Sequence, residues 1–274
     1  MKAEVPVSRG LEGFAIVVSQ MRQLTMHHHD ELEINLVLTG KASYLFGSRR
    51  VPLFAGSLIW IFPGQEHVLI DWSNDFSMWV LLFKPSLIKR HAGQGDRRIL
   101  LSPDPGEVYC RQISSGQVDL LSQVYEGAPD DNADPEFVNA ALGYALVVTW
   151  RVYQFSAESS LGSDVHAAVA KAARLISDAE EPIPLSRLAR QAGLSPSRLS
   201  LLFKRQTGVS LTAFRQRTCL KRFFGLYRTG ARYSLIEAAL LAGFGSYAQF
   251  HRVFCRNVEM SPAAYKKSFV DPAQ

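Results

Sequence analysis

Cysteine is scarce in this 274-residue sequence. Cys110, Cys219 and Cys255 are odd in number and far apart, which argues against a disulfide framework and against a cysteine-rich zinc site. They read as reduced, structural thiols. Long apolar runs are missing too. No stretch of eighteen uncharged apolar residues exists to span a bilayer, and the N-terminal MKAEVPVSRGLEGF lacks the basic start and unbroken apolar core of a secretory signal. A cytoplasmic location with no membrane partner is the expectation. What remains is ordinary globular material, 47% hydrophobic and 20% charged, enough for two modest domains with cores of their own.

Acidic residues are scarce only in one half. Residues 164–274 hold 17 Lys+Arg against 7 Asp+Glu, a net of +10, whereas residues 1–163 hold 13 against 18, a net of −5. A basic surface serves nucleic acid or an anionic membrane. No long amphipathic helix with a Trp/Phe-rich face is evident in the basic half, so nucleic acid is preferred.

That half is an internal repeat over 184–214 and 235–265. Ala189, Ala192 and Gly193 recur 50 residues later as Ala239, Ala242 and Gly243, and Phe203, Ser210 and Phe214 recur 51 later as Phe254, Ser261 and Tyr265. A one-residue insertion in the turn accounts for the change of offset. In each copy a short helix with apolar residues three and four apart meets a glycine, which can take the left-handed conformation that ends a helix. Ser195, followed by Pro196, can cap a new helix, and Ser246 can do the same in the second copy. The new helices bury matching stripes, Leu199, Leu202 and Phe203 against Phe250, Val253 and Phe254. Helix, tight turn, helix is the layout whose second helix enters the major groove. Leu211–Tyr227 reads as a connecting helix that leaves Arg215, Arg217, Lys221 and Arg222 to solvent or phosphate.

These residues resemble the DNA-binding domain of AraC/XylS regulators over essentially all of 164–274. The pattern G-F-x-S, F-x-R-x-F, S-P-x-x-Y stands as Gly243, Phe244, Ser246, Phe250, Arg252, Phe254, Ser261, Pro262 and Tyr265. Departures are Ala238 for a larger aliphatic, Phe223 for alanine, Gly225 inside the connecting helix and Glu259 for glycine. Once the apolar stripes are buried, Ser197, Arg198, Ser200, Leu201 and Lys204 are left outward on the first reading helix, and Tyr247, Ala248, Gln249, His251 and Arg252 on the second. The resemblance implies base contacts from Ser197, Ser200, Leu201, Ala248, Gln249 and Arg252. Arginine can pair with guanine, glutamine with adenine, and Leu201 can touch a thymine methyl. Arg198, Lys204 and His251 suit phosphate, which positions the protein without reading sequence. Promoter DNA and RNA polymerase are the macromolecular partners that the resemblance implies.

In the acidic half, Met26 to Phe83 runs in short alternating or apolar segments broken by glycines, the signature of strands and hairpins. Residues 107–127 and 135–155 have helical apolar periodicity. The stripe Phe137, Leu142, Ala145, Val148, Trp150 and Tyr153 is either a packing face or a dimer face. Within the strand region His27-x-His29-x-x-x-Glu33 precedes Gly40, and Gly56, Pro63, Gly64 and His67 follow at fixed intervals. These resemble the two cupin motifs with the His, His, Glu, His metal-ligand pattern intact; Phe62 stands for a usual proline and Asp71 for asparagine. If the strand runs on unbroken, alternation puts His27, His29, Glu33 and Asn35 on one face.

The expected architecture is therefore α+β. Residues 1–160 form a cupin-like β-barrel with accompanying helices, able to sense a small molecule and to dimerise, and residues 164–274 form an all-α domain with two helix-turn-helix motifs. His27, His29, Glu33 and His67 are the candidate effector site, either holding a divalent metal or hydrogen-bonding the effector directly. Trp60, Trp72, Trp79, Tyr44 and Phe46 are candidates to stack on a sugar, and HxHxxxEIN resembles the melibiose-type sugar regulators of the same family. A DNA-binding regulator that is not an enzyme is the leading function. The competing reading is a metal-dependent cupin enzyme fused to a DNA-binding tail, and an architectural DNA binder without a ligand is a third. The effector, the operator and the direction of control stay open in the sequence.

Overall fold

A computed structural model describes residues 7–19, 26–92, 95–127, 134–158, 163–179, 181–228, 233–258 and 260–270. Glu259 and the end of the expected sensing domain at residue 160 lie outside the described residues. The chain divides into two compact units, one built mainly from residues up to Asp164 and the other from Val165 onward. No helix among the described residues is long and apolar enough to cross a membrane.

The first unit has two antiparallel sheets of cupin-like, jelly-roll type. Its strands are β1 (Gly13–Val18), β2 (Leu32–Thr39), β3 (Lys41–Phe46), β4 (Arg49–Phe54), β5 (Ser57–Ile61), β6 (His67–Trp72), β7 (Ser77–Phe83), β8 (Tyr109–Gln112), β9 (Ala157–Glu158) and β10 (Ser163–Asp164). One sheet has the order β1-β7-β2-β5-β8-β9 and the other β10-β4-β3-β6. Helices α1 (Pro85–His91), α2 (Ser115–Glu126) and α3 (Pro135–Gln154) complete the unit, with a 3-10 turn at Gly95–Leu101.

Strand β2 explains why the sequence alternates yet hides both faces. Leu32, Ile34 and Leu36 enter a core with Leu58, Trp60, Leu121, Leu142, Leu146 and Trp150, so this face packs against α2 and α3. Glu33 and Asn35, at the intervening positions, are buried on the opposite side. The stripe on α3 splits accordingly. Leu142, Ala145, Trp150 and Tyr153 are core residues, while Phe137 is 61% exposed, so most of the stripe is a packing face. Trp60 stacks edge-on against Trp150, and Trp79 against Tyr125, which removes both tryptophans from the set of candidate sugar platforms.

One helix expected over 107–127 is corrected. Tyr109–Gln112 is a strand paired with β5, and the helix begins only at Ser115. The start is dictated by Ser114, which accepts from the Gln117 N–H while Gln117 reaches back to the Ser114 N–H.

The second unit is all helix: α4 (Ala167–Asp178), α5 (Leu185–Gln191), α6 (Pro196–Thr207), α7 (Leu211–Arg228), α8 (Leu235–Leu241), α9 (Tyr247–Val258) and α10 (Pro262–Val270). Both expected helix-turn-helix pairs are present, α5 with α6 and α8 with α9. Gly193 and Gly243 end the first helix of each pair at φ +74° and +97°, a region costly for any residue with a Cβ. Ser195 then accepts from the Arg198 N–H and Ser246 from the Gln249 N–H, the caps that start α6 and α9. Helix α7 links the pairs and supplies aromatic anchors to both. Phe214 meets Phe203, and Phe223 meets Phe250 at 4.5 Å and Phe254 at 5.7 Å. Phe223, a departure from the family pattern, is fully buried in this layer, where such a side chain contributes about 3–5 kcal/mol relative to alanine. Gly225 sits at an exposed position of α7, and the helix continues through it.

Candidate functional site

Between the two sheets of the first unit, the four residues singled out by their spacing come together. His27 is not part of β2. The chain bends at Asp30 and Glu31, so a continuous strand from His27 to Asn35 is corrected to a short bridge followed by β2. The residues converge nonetheless, because the backbones of His27 and His67 exchange hydrogen bonds of 3.0 and 2.9 Å. That pairing sets their rings 4.2 Å apart, with the His29 ring 5.2 Å from that of His67. All three imidazoles and Glu33 are buried.

The ring nitrogens are oriented by backbone carbonyls. His29 Nδ1 lies 3.0 Å from the Glu31 carbonyl and His67 Nδ1 lies 2.9 Å from the Gln65 carbonyl. A carbonyl only accepts, so each Nδ1 carries the proton and each Nε2 is turned inward. His29 Nε2 is 2.9 Å and His67 Nε2 3.9 Å from the same Glu33 oxygen, Oε2. His67 Nε2 has no hydrogen-bond partner. Glu33 Oε1 accepts from Asn35 Nδ2 at 2.7 Å, and Asn35 Nδ2 also reaches the Tyr44 hydroxyl at 3.0 Å.

The electrostatics follow from burial and from this one carboxylate. Burial opposes charge on Glu33, but its contacts with His29, His67 and Asn35 prevail and hold its pKa below the usual value. Burial likewise opposes charge on His29, and there the Glu33 hydrogen bond and charge prevail and raise it. His67 is pushed down to about 3 by burial and by the neighbouring His27, so its ring stays neutral with a lone pair at Nε2. Burial and the Glu33 charge both raise Tyr44, which remains a neutral phenol.

One ligand nitrogen from each of His27, His29 and His67 lies within 4.8 Å of the others. Nitrogens bonded to one ion at about 2.0–2.1 Å and tetrahedral angles stand about 3.3–3.4 Å apart, so the three rings would have to draw together to close the set. Imidazoles whose Nδ1–H is held by a carbonyl, as in His29 and His67, are oriented to give Nε2 to a metal ion, which displaces any proton there. The donor set therefore fits a divalent cation. Tyr44 and Phe46 flank it, with rings 6.0 and 6.2 Å from that of His67. The histidines, Glu33 and Asn35 are legible from their spacing. That Tyr44 closes the polar network depends on the pairing of β3 with β6, a long-range fact with no local signal.

On the second unit, Ser197, Arg198, Leu201 and Lys204 are exposed on α6, and Ala248, His251 and Arg252 are exposed on α9. Leu201, 71% exposed, is a large apolar side chain left entirely to solvent or to a partner. Three residues in the outward set, Ser200, Tyr247 and Gln249, are half-buried. Ser200 donates to the Pro196 carbonyl of its own helix, and Gln249 Oε1 accepts from the Gly245 N–H, which commits one end of each side chain to local structure. His251 contacts the Cys255 sulfur one turn along.

The connecting helix corrects an expectation. Arg215 donates to the Ile183 carbonyl, and Arg222 donates to the carbonyls of Ile176 and Ala179 at the end of α4. Lys221 is partly buried, and desolvation lowers its pKa. Arg215 and Arg222 are therefore structural ties rather than phosphate contacts: Arg222 caps carbonyls at the end of α4 and Arg215 one in the segment before α5.

The family described as "AraC-like ligand binding domain" matches residues 17–146, and the family described as "Helix-turn-helix domain" matches residues 188–268. The HTH-type transcriptional activator RhaR of Mannheimia succiniciproducens is 21% identical over 250 residues, covering 89% of this chain and 88% of that protein. The protein of the same name from Klebsiella pneumoniae is 22% identical over 246 residues, covering 88% and 86%. Among solved structures, ToxT from Vibrio cholerae aligns over 93% of this chain and 97% of its own at 15% identity, with a TM-score of 0.35. The AraC-like transcriptional activator CuxR aligns over 80% and 75% at 18% identity, with a TM-score of 0.33.

Proposed function

The chain belongs to the AraC family of transcription regulators, with an N-terminal AraC-like ligand-binding domain and a C-terminal helix-turn-helix domain, and on that footing we propose how it senses and reads. The effector enters between the two sheets of the first unit and is held at His27, His29, Glu33 and His67. The convergence of these four buried side chains carries the reading, since four inward polar groups are costly unless a ligand, a metal or one another satisfies them. A divalent cation held by the three imidazoles and Glu33 would supply a Lewis-acid anchor for an oxygen of the effector. Around it Asn35 and Tyr44 offer hydrogen bonds, and Tyr44 and Phe46 offer aromatic faces. That chemistry suits a hydroxylated molecule of the carbohydrate class, in keeping with the resemblance of HxHxxxEIN to sugar regulators.

In this reading the protein is a cytoplasmic activator and not an enzyme, as the transcriptional activators it resembles support. Ser197, Ser200, Leu201, Ala248, Gln249 and Arg252 read promoter bases while Arg198, Lys204 and His251 hold phosphates, and RNA polymerase is recruited from the bound promoter. Exposed Phe137 and Tyr144 on α3, with Phe155 just past its end, support a homodimer through that helix.

The test is a thermal-shift and metal-content measurement on the full-length chain with Zn2+, Ni2+ and Mn2+ and a panel of sugars, beside His29→Ala and His67→Ala. The expected result is about one metal equivalent per chain and a raised melting temperature, both lost in the variants, with promoter binding retained. Variants that keep the full response to every effector would remove the cluster from the sensing role.

A further inference from the structure

We propose that Gln65 is a positioning residue for the histidine cluster, setting the His67 ring and clamping the Asp104–Glu107 segment beside it. The proposal rests on the reading of that cluster as the effector site.

One turn carries the contacts. The Gln65 N–H closes Phe62–Gln65 by donating to the Phe62 carbonyl at 3.0 Å, with Pro63 and left-handed Gly64 in the middle. Gly64 has φ +79°, and its N–H donates to the His29 carbonyl at 2.8 Å. The Pro63 carbonyl accepts from the Asp104 N–H at 2.9 Å. The same four residues thus touch the backbone of one candidate ligand and the segment before β8, and they lead directly into His67.

Gln65 joins these contacts into one unit. Its backbone carbonyl accepts from His67 Nδ1 at 2.9 Å, which fixes the tautomer that turns Nε2 into the site, and the side chain acts on this contact by holding the turn that aims the carbonyl. Its side-chain Oε1 accepts from the Phe62 N–H at 3.2 Å, and its Nε2 donates to the Glu107 carbonyl at 2.9 Å. The amide orientation is settled by the partners, since an N–H can only donate and a carbonyl can only accept. Gln65 is only 5% exposed, so a polar group that loses its partner here is not rescued by bulk water. Glutamate at this position keeps the acceptor for Phe62 but loses the donor for Glu107, and methionine keeps the length and loses both.

The test uses the full-length chain, labelled with 15N-histidine, as wild type, Gln65→Met and Gln65→Glu, with Zn2+ alone as the probe. Three readouts are taken: the His67 tautomer by long-range 1H–15N correlation, Zn2+ affinity by chelator competition, and amide exchange at Asp104. The expected result for Gln65→Met is a mixture of His67 tautomers, faster Asp104 exchange and Zn2+ affinity weaker by about 10–100-fold, with Gln65→Glu between it and wild type. Faster exchange with the His67 tautomer and Zn2+ affinity of both variants unchanged would overturn the proposal, leaving Gln65 as a turn residue only. If wild type itself takes up no Zn2+, the metal reading falls, and the tautomer and exchange data alone decide for or against Gln65. If Gln65→Met does not fold by circular dichroism, Gln65→Glu carries the same comparison.

Discussion

His29 Nε2 lies 2.9 Å from Glu33 Oε2, while its other ring nitrogen faces the Glu31 carbonyl at 3.0 Å. No neutral imidazole satisfies both contacts, because both acceptors ask for a proton and a neutral ring has one. With Glu33 held in its ionised form, the pair is at rest when His29 carries a second proton or when a cation stands between ring and carboxylate. A buried carboxylate that faces two imidazole nitrogens is thus a site waiting for positive charge.

Glu33→Gln follows directly. The amide preserves the shape of the side chain but removes the charge that attracts a cation and holds His29. A Kd raised by about 10–100-fold is expected, in line with the loss of one stabilising group at a metal site. Wild type held at 100 times its Kd should gain about 2.7 kcal/mol of stability from the metal, and the variant should lose about 1.3–2.3 kcal/mol of that gain at the same concentration. Melting curves with and without Zn2+ measure it, and an unchanged metal-induced shift would exclude Glu33 as a ligand.

Gly243 and Gly193 hold equivalent places in the two helix-turn-helix motifs, yet their substitution should differ in cost. A Cβ on Gly193 would meet nothing within 4 Å, whereas one on Gly243 would overlap the Pro182 ring. Gly193→Ala is expected to cost about 1–2 kcal/mol for the left-handed backbone alone. Gly243→Ala should cost about 1–3 kcal/mol more through overpacking. Urea melts of the two variants compare them, and equal losses would mean that Pro182 yields without strain.

The contrast between the halves explains what was legible beforehand. Gly193, Ser195, Pro196 and Ser246 are local punctuation, and they placed both helix-turn-helix pairs because caps and left-handed turns act within a few residues. His27, His29, Glu33 and His67 were legible as a spacing, although the bend at Asp30 and Glu31 broke the strand that the parity argument assumed. Tyr109–Gln112 was submerged in helical periodicity because four residues carry too little alternation to compete with the apolar pattern of α2. Arg215 and Arg222 read as solvent-facing since nothing near them in sequence announces carbonyls 32 to 46 residues away.

Arg222→Met tests that last correction. The substitution keeps most of the apolar stem and removes the donors to Ile176 and Ala179. Loss of a charged donor to half-buried carbonyls should lower stability by about 1–3 kcal/mol. At temperatures where the variant is folded, the salt dependence of DNA binding should match wild type, because no phosphate contact is lost. A flatter salt slope for Arg222→Met would return this arginine to the DNA-contacting set.

Arg252 and Lys204 should separate base reading from phosphate holding. Both are exposed, Arg252 on α9 and Lys204 on α6. Arg252 lies one turn before Arg256 on the face opposite buried Phe250 and Phe254, where a guanidinium can present two parallel donors to a guanine edge. Lys204 stands in the last turn of α6, away from the N-terminal residues that a reading helix pushes deepest into the groove. Arg252→Ala is therefore expected to cost about 1–3 kcal/mol on the preferred site and almost nothing on a scrambled duplex, lowering the ratio between them. Lys204→Ala should weaken both duplexes alike and reduce the slope of log affinity against log salt by about 1, since one fewer counterion is released. Titrations of both variants on both duplexes, at several salt concentrations, give the ratio and the slope independently. Equal losses on the two duplexes for Arg252→Ala, with a reduced slope, would make it a further phosphate contact and leave sequence reading to α6 and to the other exposed residues of α9.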